Sequence, residues 1–188
     1  MTDDDTLTAR PSTALPALAD AVREIERHVA GGGWDGPVRI FALVVTSRAL
    51  ATEPTLASQL PADVVAHAQQ DPHHLTSVEQ EDLPAAASLE DLLAGLSWPA
   101  TVDGAAVVVE RVVLPPAAEE GMPTEQDAAL EYLMTHSDRQ DVRIAVGVLR
   151  SGEAWCAVRS KAHDDDDSVG VGPDLVPGLI EGVGATLV

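Results

Sequence analysis

Aromatic residues are scarce: one Phe, one Tyr and three Trp make up 3% of the 188 residues. The chain is still 45% hydrophobic, so Ala, Val and Leu must supply most of the packing. Cysteine occurs once, at Cys156, which excludes an internal disulfide framework. Lysine also occurs once, at Lys161. Basic residues number 11 against 31 acidic ones, a formal charge of −20. Such a surface repels phosphate backbones and anionic membranes. Nucleic acid is therefore not an expected partner; the charge is compatible with basic proteins or cations as partners, and solubility alone is the plain alternative. No apolar run approaches the roughly 20 residues needed to cross a bilayer. The chain opens Met1-Thr2-Asp3-Asp4-Asp5, the opposite of a basic signal-peptide start, so the expected location is the cytoplasm.

What is abundant is valine at strand spacing. Val142, Ile144, Val146 and Val148 recur every second residue, which sets all four on one face of a strand. Arg150-Ser151-Gly152-Glu153 then breaks the run, and residues 154–160 resume it, the pattern of an antiparallel hairpin. Residues 38–46 and 105–114 read as further strong strands. Residues 75–83, carrying Glu79, Glu81 and Asp82, read as an exposed rim strand, because charge discourages edge-to-edge pairing.

Helical signals surround these strands. Leu15, Leu18, Val22, Ile25 and Val29 form one apolar stripe, capped by Ser12 or Thr13 and ended by Gly31, Gly32 and Gly33. Residues 47–60 predict a short helix broken at Pro54, and residues 62–70 another. Ser88 caps a helix over 89–96, and Thr124 one reaching His136 with Leu130 and Leu133 inward. A glycine-containing turn through Gly170 and Gly172 precedes a last helix from Asp174, in which Gly178 and Gly182 make a small-residue groove. Together these predict an α+β fold: a five-stranded, largely antiparallel sheet with helices packed mainly on one face. Residues 1–11 read as a disordered N-terminal tail and residues 12–188 as a single domain.

Candidate sites are few. His163 followed by Asp164, Asp165, Asp166 and Asp167 suggests a divalent-cation site, the one cofactor the sequence raises. It is not an EF-hand, whose twelfth position must be an acid; here that position is Leu175 or Val176. The plain alternative is a solvated loop. Trp34, Asp35 and Trp98 are binding candidates, since tryptophan is enriched at interaction hot spots, against the alternative that the tryptophans fill the core. His67, His73 and His74 read as loop histidines, and Cys156 as a small core residue. Neither a Gly-x-Ser-x-Gly elbow nor a His-Glu-x-x-His zinc helix is present, and no catalytic residue is assigned.

Several stretches carry a resemblance: REIERHVAGGGWDGPVRIFALV, LTSVEQEDLP, LSWP, VVERVVLPP, DVRIAVGVLR and HDDDD…GPDLVPGL. In content and order they resemble an actinobacterial family of uncharacterised cytoplasmic proteins with no assigned activity. That resemblance implies an intracellular protein from a high-GC bacterium and transfers no site residue. The order of elements is also similar to small secretion-chaperone-like α/β domains, which often pair; residues 47–72 depart from that pattern. The expected function is a non-catalytic, adaptor or chaperone-like domain that binds a protein partner or self-associates as a homodimer. The alternative is a divalent-metal-dependent or small-molecule-binding enzyme using the acidic loop.

Overall fold

A computed structural model describes residues 14–188. The expected tail, and the Ser12 or Thr13 cap, lie outside the described residues. The first helix, α1, spans Leu15–Ala30, with Pro16 in its first turn, where a missing N–H costs nothing. Strand β1 (Arg39–Val45) runs directly into α2 (Thr46–Thr52) and a 3₁₀ turn (Pro54–Ser58). Then come α3 (Ala62–Gln70), β2 (Leu75–Glu79) and α4 (Leu89–Ala94). Ser88 caps α4 as expected, its hydroxyl accepting the Asp91 N–H. The second half holds β3 (Gly104–Val113), α5 (Pro116–Glu119), α6 (Gln126–Thr135), β4 (Gln140–Leu149) and β5 (Ala154–Ser160). It ends with β6 (Gly170–Gly172) and α7 (Pro177–Ala185).

The strands form one open antiparallel sheet in the order β2-β1-β3-β4-β5-β6. The valine-rich β4 is interior, and the charged β2 is an edge, both as its sequence predicts. The sheet has six strands rather than the expected five. The extra one is β6, which pairs Gly170, Val171 and Gly172 with Val158, Ala157 and Cys156. Three residues, two of them glycine, give no alternation to read, so the segment looks like a turn.

Helices cover both faces, not mainly one. On the first face, Leu18, Val22, Ile25 and Val29 of α1 pack on Phe41, Leu43, Val108, Ala145 and Ala157. On the second, Leu92 and Leu93 of α4 and Val183 of α7 pack on Val107, Ile144, Val146 and Val148. A chain poor in aromatics thus builds two thin valine- and alanine-rich cores instead of one thick one. Helix and sheet approach closely at Gly147, where a Cβ would lie 2.5 Å from Val22 Cγ2.

Helix α6 departs from expectation. Glu125, not Thr124, caps it, its carboxylate accepting the N–H groups of Asp127 and Ala128. Those bonds hold the Glu125 carboxyl below its usual range. Leu130, expected inward, is 58% exposed, and Met122 and Met134 are exposed as well. No residue of α6 is buried.

Candidate functional site

Beyond the apolar part of the first face lies a row of charges. Two-residue alternation puts Arg143 of β4 beside Ala145, and Arg159 of β5 beside Ala157. Arg143 and Arg159 are register partners, and Glu110 of β3 pairs with Arg143 on its other side. Arg39 of β1 and Glu79 of β2 continue the row, joined in a salt bridge that lowers the Glu79 pKa and raises that of Arg39. The α1 helix is apolar over the middle of this face and turns Glu26 toward its charged end.

Arg159 is saturated. Its side chain is 3% exposed, and it grips Glu26, equally buried, through Nε at 2.7 Å and Nη2 at 2.8 Å. Asp166 accepts from Nη2 at 2.7 Å and Asp164 from Nη1 at 3.4 Å. The Glu26 bond, then Asp166, drive the guanidinium's pKa upward, while Arg159 holds the Asp166 carboxyl below the usual carboxylate range. The acidic run therefore folds back over a buried cation. Asp166 also accepts from Arg27, at 3.3 Å, and Asp164 accepts the Trp34 indole N–H at 2.7 Å. Asp165 caps the turn at Ser168 through both carboxylate oxygens. His163 and Asp167 are exposed. Among the described residues no three His, Cys, Asp or Glu side chains converge as metal ligands.

Arg143 is treated differently. It is 1% exposed, yet among the described residues only Nη2 has partners: Glu110 Oε1 at 2.9 Å and the carbonyl of Gly33. Nε and Nη1 are buried with no acceptor. A buried donor without a partner costs about 1–3 kcal/mol, and more on a charged group. Trp34 lies over the guanidinium at 4.4 Å, with Lys161 on the same ring at 5.5 Å. Lys161 also meets Asp35 at 3.5 Å, and the Asp35 N–H donates to Glu110 Oε2 at 2.7 Å. Two of the three tryptophan-site candidates, Trp34 and Asp35, are thus brought together at one end of the sheet. The turn carrying them takes Gly33 to φ 84° and Asp35 to φ 66°, left-handed values that Gly and Asp tolerate best.

Arg143 forms part of the wall of a cleft of about 490 Å³ that opens here. Its walls combine apolar Val29, Pro37, Val38 and Leu83 with Arg39, Glu79, Asp82 and Glu110.

Trp98 belongs elsewhere. Its indole N–H donates to Thr186 and its ring packs into the second core. It sits near Arg150, which donates to the carbonyls of Trp98, Pro99, Val102 and Leu187. That end of β4 is roughly 23 Å from Arg143 along an extended strand. A second cavity, of about 390 Å³ and mostly apolar, lies between α4 and α7. Gly182 permits that helix contact, since a Cβ there would sit 3.2 Å from Leu93, whereas Gly178 faces open space. His67 and His74 stack at 5.8 Å, and buried Thr46 bonds both His74 Nδ1 and Thr76, a packing arrangement. Burial pushes the Cys156 thiol pKa up.

Arg143, Glu110, Arg159 and Glu26 are not among the residues singled out from the sequence. Their signal was present: single charges inside otherwise apolar periodic patterns, with Glu26 one helical turn beyond Val22 on the stripe.

Residues 18–188 match the family described as PPA1309-like protein. No curated protein and no solved structure matches the chain.

Proposed function

The chain belongs to the PPA1309-like protein family, and from that starting point we propose that it is a non-catalytic protein-binding domain whose recognition surface is the Trp34–Arg143 end of the sheet. One observation carries this reading: Arg143, a buried arginine with two unused donors, lines a mostly apolar cleft. Buried polar groups in folded proteins are ordinarily satisfied. The same fold satisfies the neighbouring Arg159 with three carboxylates, so the contrast marks Arg143 as kept for an external acceptor. Divalent-metal chemistry on the acidic loop is less well supported, because ligation would draw Asp164 and Asp166 away from a buried guanidinium. The charge of −20 disfavours nucleic acid as the partner. We read the protein as cytoplasmic and actinobacterial on its composition and its sequence resemblance. No helix of the described residues is long and apolar enough to cross a membrane.

The test is site-specific photo-crosslinking in cells. A benzophenone residue at Gln80, on the cleft wall, is expected to give a discrete adduct that the same residue at Glu53, outside the cleft, does not. Equal labelling from both positions, or none from Gln80, refutes the reading. A second reading, self-association, is favoured by exposed Met122, Leu130 and Met134. Sedimentation across concentration tests it, with Leu130→Ser expected to abolish any dimer.

A further inference from the structure

The unused donors of Arg143 also say what kind of segment the cleft would take, given the protein-binding reading above. Arg39 and Arg143 line it together with Glu79, Asp82 and Glu110, so the carboxylates outnumber the guanidiniums. A carboxylate or phosphate entering the cleft meets that excess, and approaches through the field of a protein of charge −20. An uncharged oxygen does not. Arg143 already uses one, the carbonyl of Gly33, and Arg150 at the other end of β4 shows the same preference four times over. Main-chain carbonyls are therefore the acceptors that suit both the donors and the local charge. Asp82 at the wall, which unlike Glu79 and Glu110 is not paired with an arginine among the described residues, suits a cationic side chain beside it.

Access is set by the loop of residues 31–37. It borders the cleft through Gly32, Gly33, Gly36 and Pro37, and its Trp34, outside the cleft lining, stacks on Arg143 from the neighbouring side. It is tied down by the exposed contacts of Trp34 with Asp164 and of Asp35 with Glu110 and Lys161, and by the Gly33 carbonyl on Arg143. We propose that this cleft binds a basic polypeptide segment, whose main-chain carbonyls accept Nε–H and Nη1–H of Arg143 when the loop of residues 31–37, with Trp34, shifts off the arginine.

The probe is a short acetylated and amidated peptide alternating Ala and Arg, compared with an Ala/Glu peptide of the same length and with sodium acetate. Binding is read on the Arg143 Nε–H resonance of the ¹⁵N-labelled protein and on Trp34 emission, with Trp34→Phe as the optical control. The basic peptide is expected to shift both saturably, and the acidic peptide to bind at least about tenfold more weakly. Arg143→Lys keeps the charge but loses the placed donors, and is expected to weaken binding about tenfold. Asp82→Asn suits the residue's φ of 56° and is expected to weaken it about threefold. Should Arg143→Lys not fold, the wild-type resonance and Asp82→Asn still decide. A basic peptide that leaves the resonance unmoved overturns the proposal. So does an acidic peptide or acetate that shifts it at lower concentration. If the Gln80 crosslink persists in either case, protein binding stands and only the basic-segment assignment falls.

Discussion

Removing one member of the Glu26–Arg159 pair should be worse than removing both. Glu26 has no hydrogen-bond partner but Arg159 among the described residues, and both side chains are 3% exposed. Breaking a buried pair by deleting one partner costs roughly 3–5 kcal/mol, because the other charge stays buried. Arg159→Met leaves the Glu26 carboxylate with nothing, so it belongs at the upper end, about 4–5 kcal/mol. Glu26→Leu leaves Arg159 with Asp166 at 2.7 Å, so it belongs at the lower end, about 3 kcal/mol. In the double variant neither member of this pair leaves a buried charge behind. Asp164 and Asp166, 44% and 57% exposed, return to water at little cost, and Leu against Met restores packing. Its loss should be about 1–2 kcal/mol or less. For a chain of this length about 1 kcal/mol moves Tm by roughly 2–4 °C, so Glu26→Leu is expected to lower Tm by about 6–12 °C. Urea and thermal melts of the four proteins at pH 7 complete the cycle. Additive losses in the double variant, or Glu26→Leu costing more than Arg159→Met, would refute the reasoning.

Gly147→Ala should destabilise by about 1–3 kcal/mol through overpacking against Val22, with Val22→Ala recovering part of the urea midpoint. Asp166 and Glu79 have folded pKa values below the ordinary range. Their contribution is whole above the ordinary value of about 4 and is lost as pH falls through the lower folded value. The gap in urea midpoint between wild type and Asp166→Asn or Glu79→Gln is therefore expected to be flat from pH 6 to 8 and to narrow as pH falls below about 4. Calcium, magnesium and zinc are each expected to leave Tm unchanged; a rise abolished by Asp165→Asn/Asp166→Asn would restore the cation reading. Cys156, buried and with its thiol pKa raised, should react with a thiol reagent only on unfolding, and fast labelling of the native protein would contradict that burial.

The parts of the fold legible in the sequence are those with a clear period. The α1 stripe, the β4–β5 hairpin, the Ser88 cap and the charged edge strand β2 each follow from a local pattern. What escaped depends on layering. Whether α7 and α4 share a face with α1 is not encoded in any one stripe, since each stripe only demands some apolar cover. Helix α6 carries Leu130 and Leu133 at a spacing that suits burial, yet none of its residues is buried. Strand β6 exists because β5 offers it an edge, not because its own residues prefer extension. At the site, Trp34 and Asp35 were legible as a pair within one turn. Their junction with Arg143 and Lys161 comes from β4 and β5 lying beneath that turn. Arg159 shows the reverse case: the acidic run was conspicuous, and its use became visible only with the cation it encloses.

The span between Glu26 and Arg159 has a consequence for how the chain acquires its shape. The two are 133 residues apart, and α1 rests on β4 and β5, the strands made late. Distant pairings of this kind slow folding. During synthesis, the oily side of the opening helix waits without its proper cover until the final third of the polypeptide has emerged, an interval in which transient shielding would matter most.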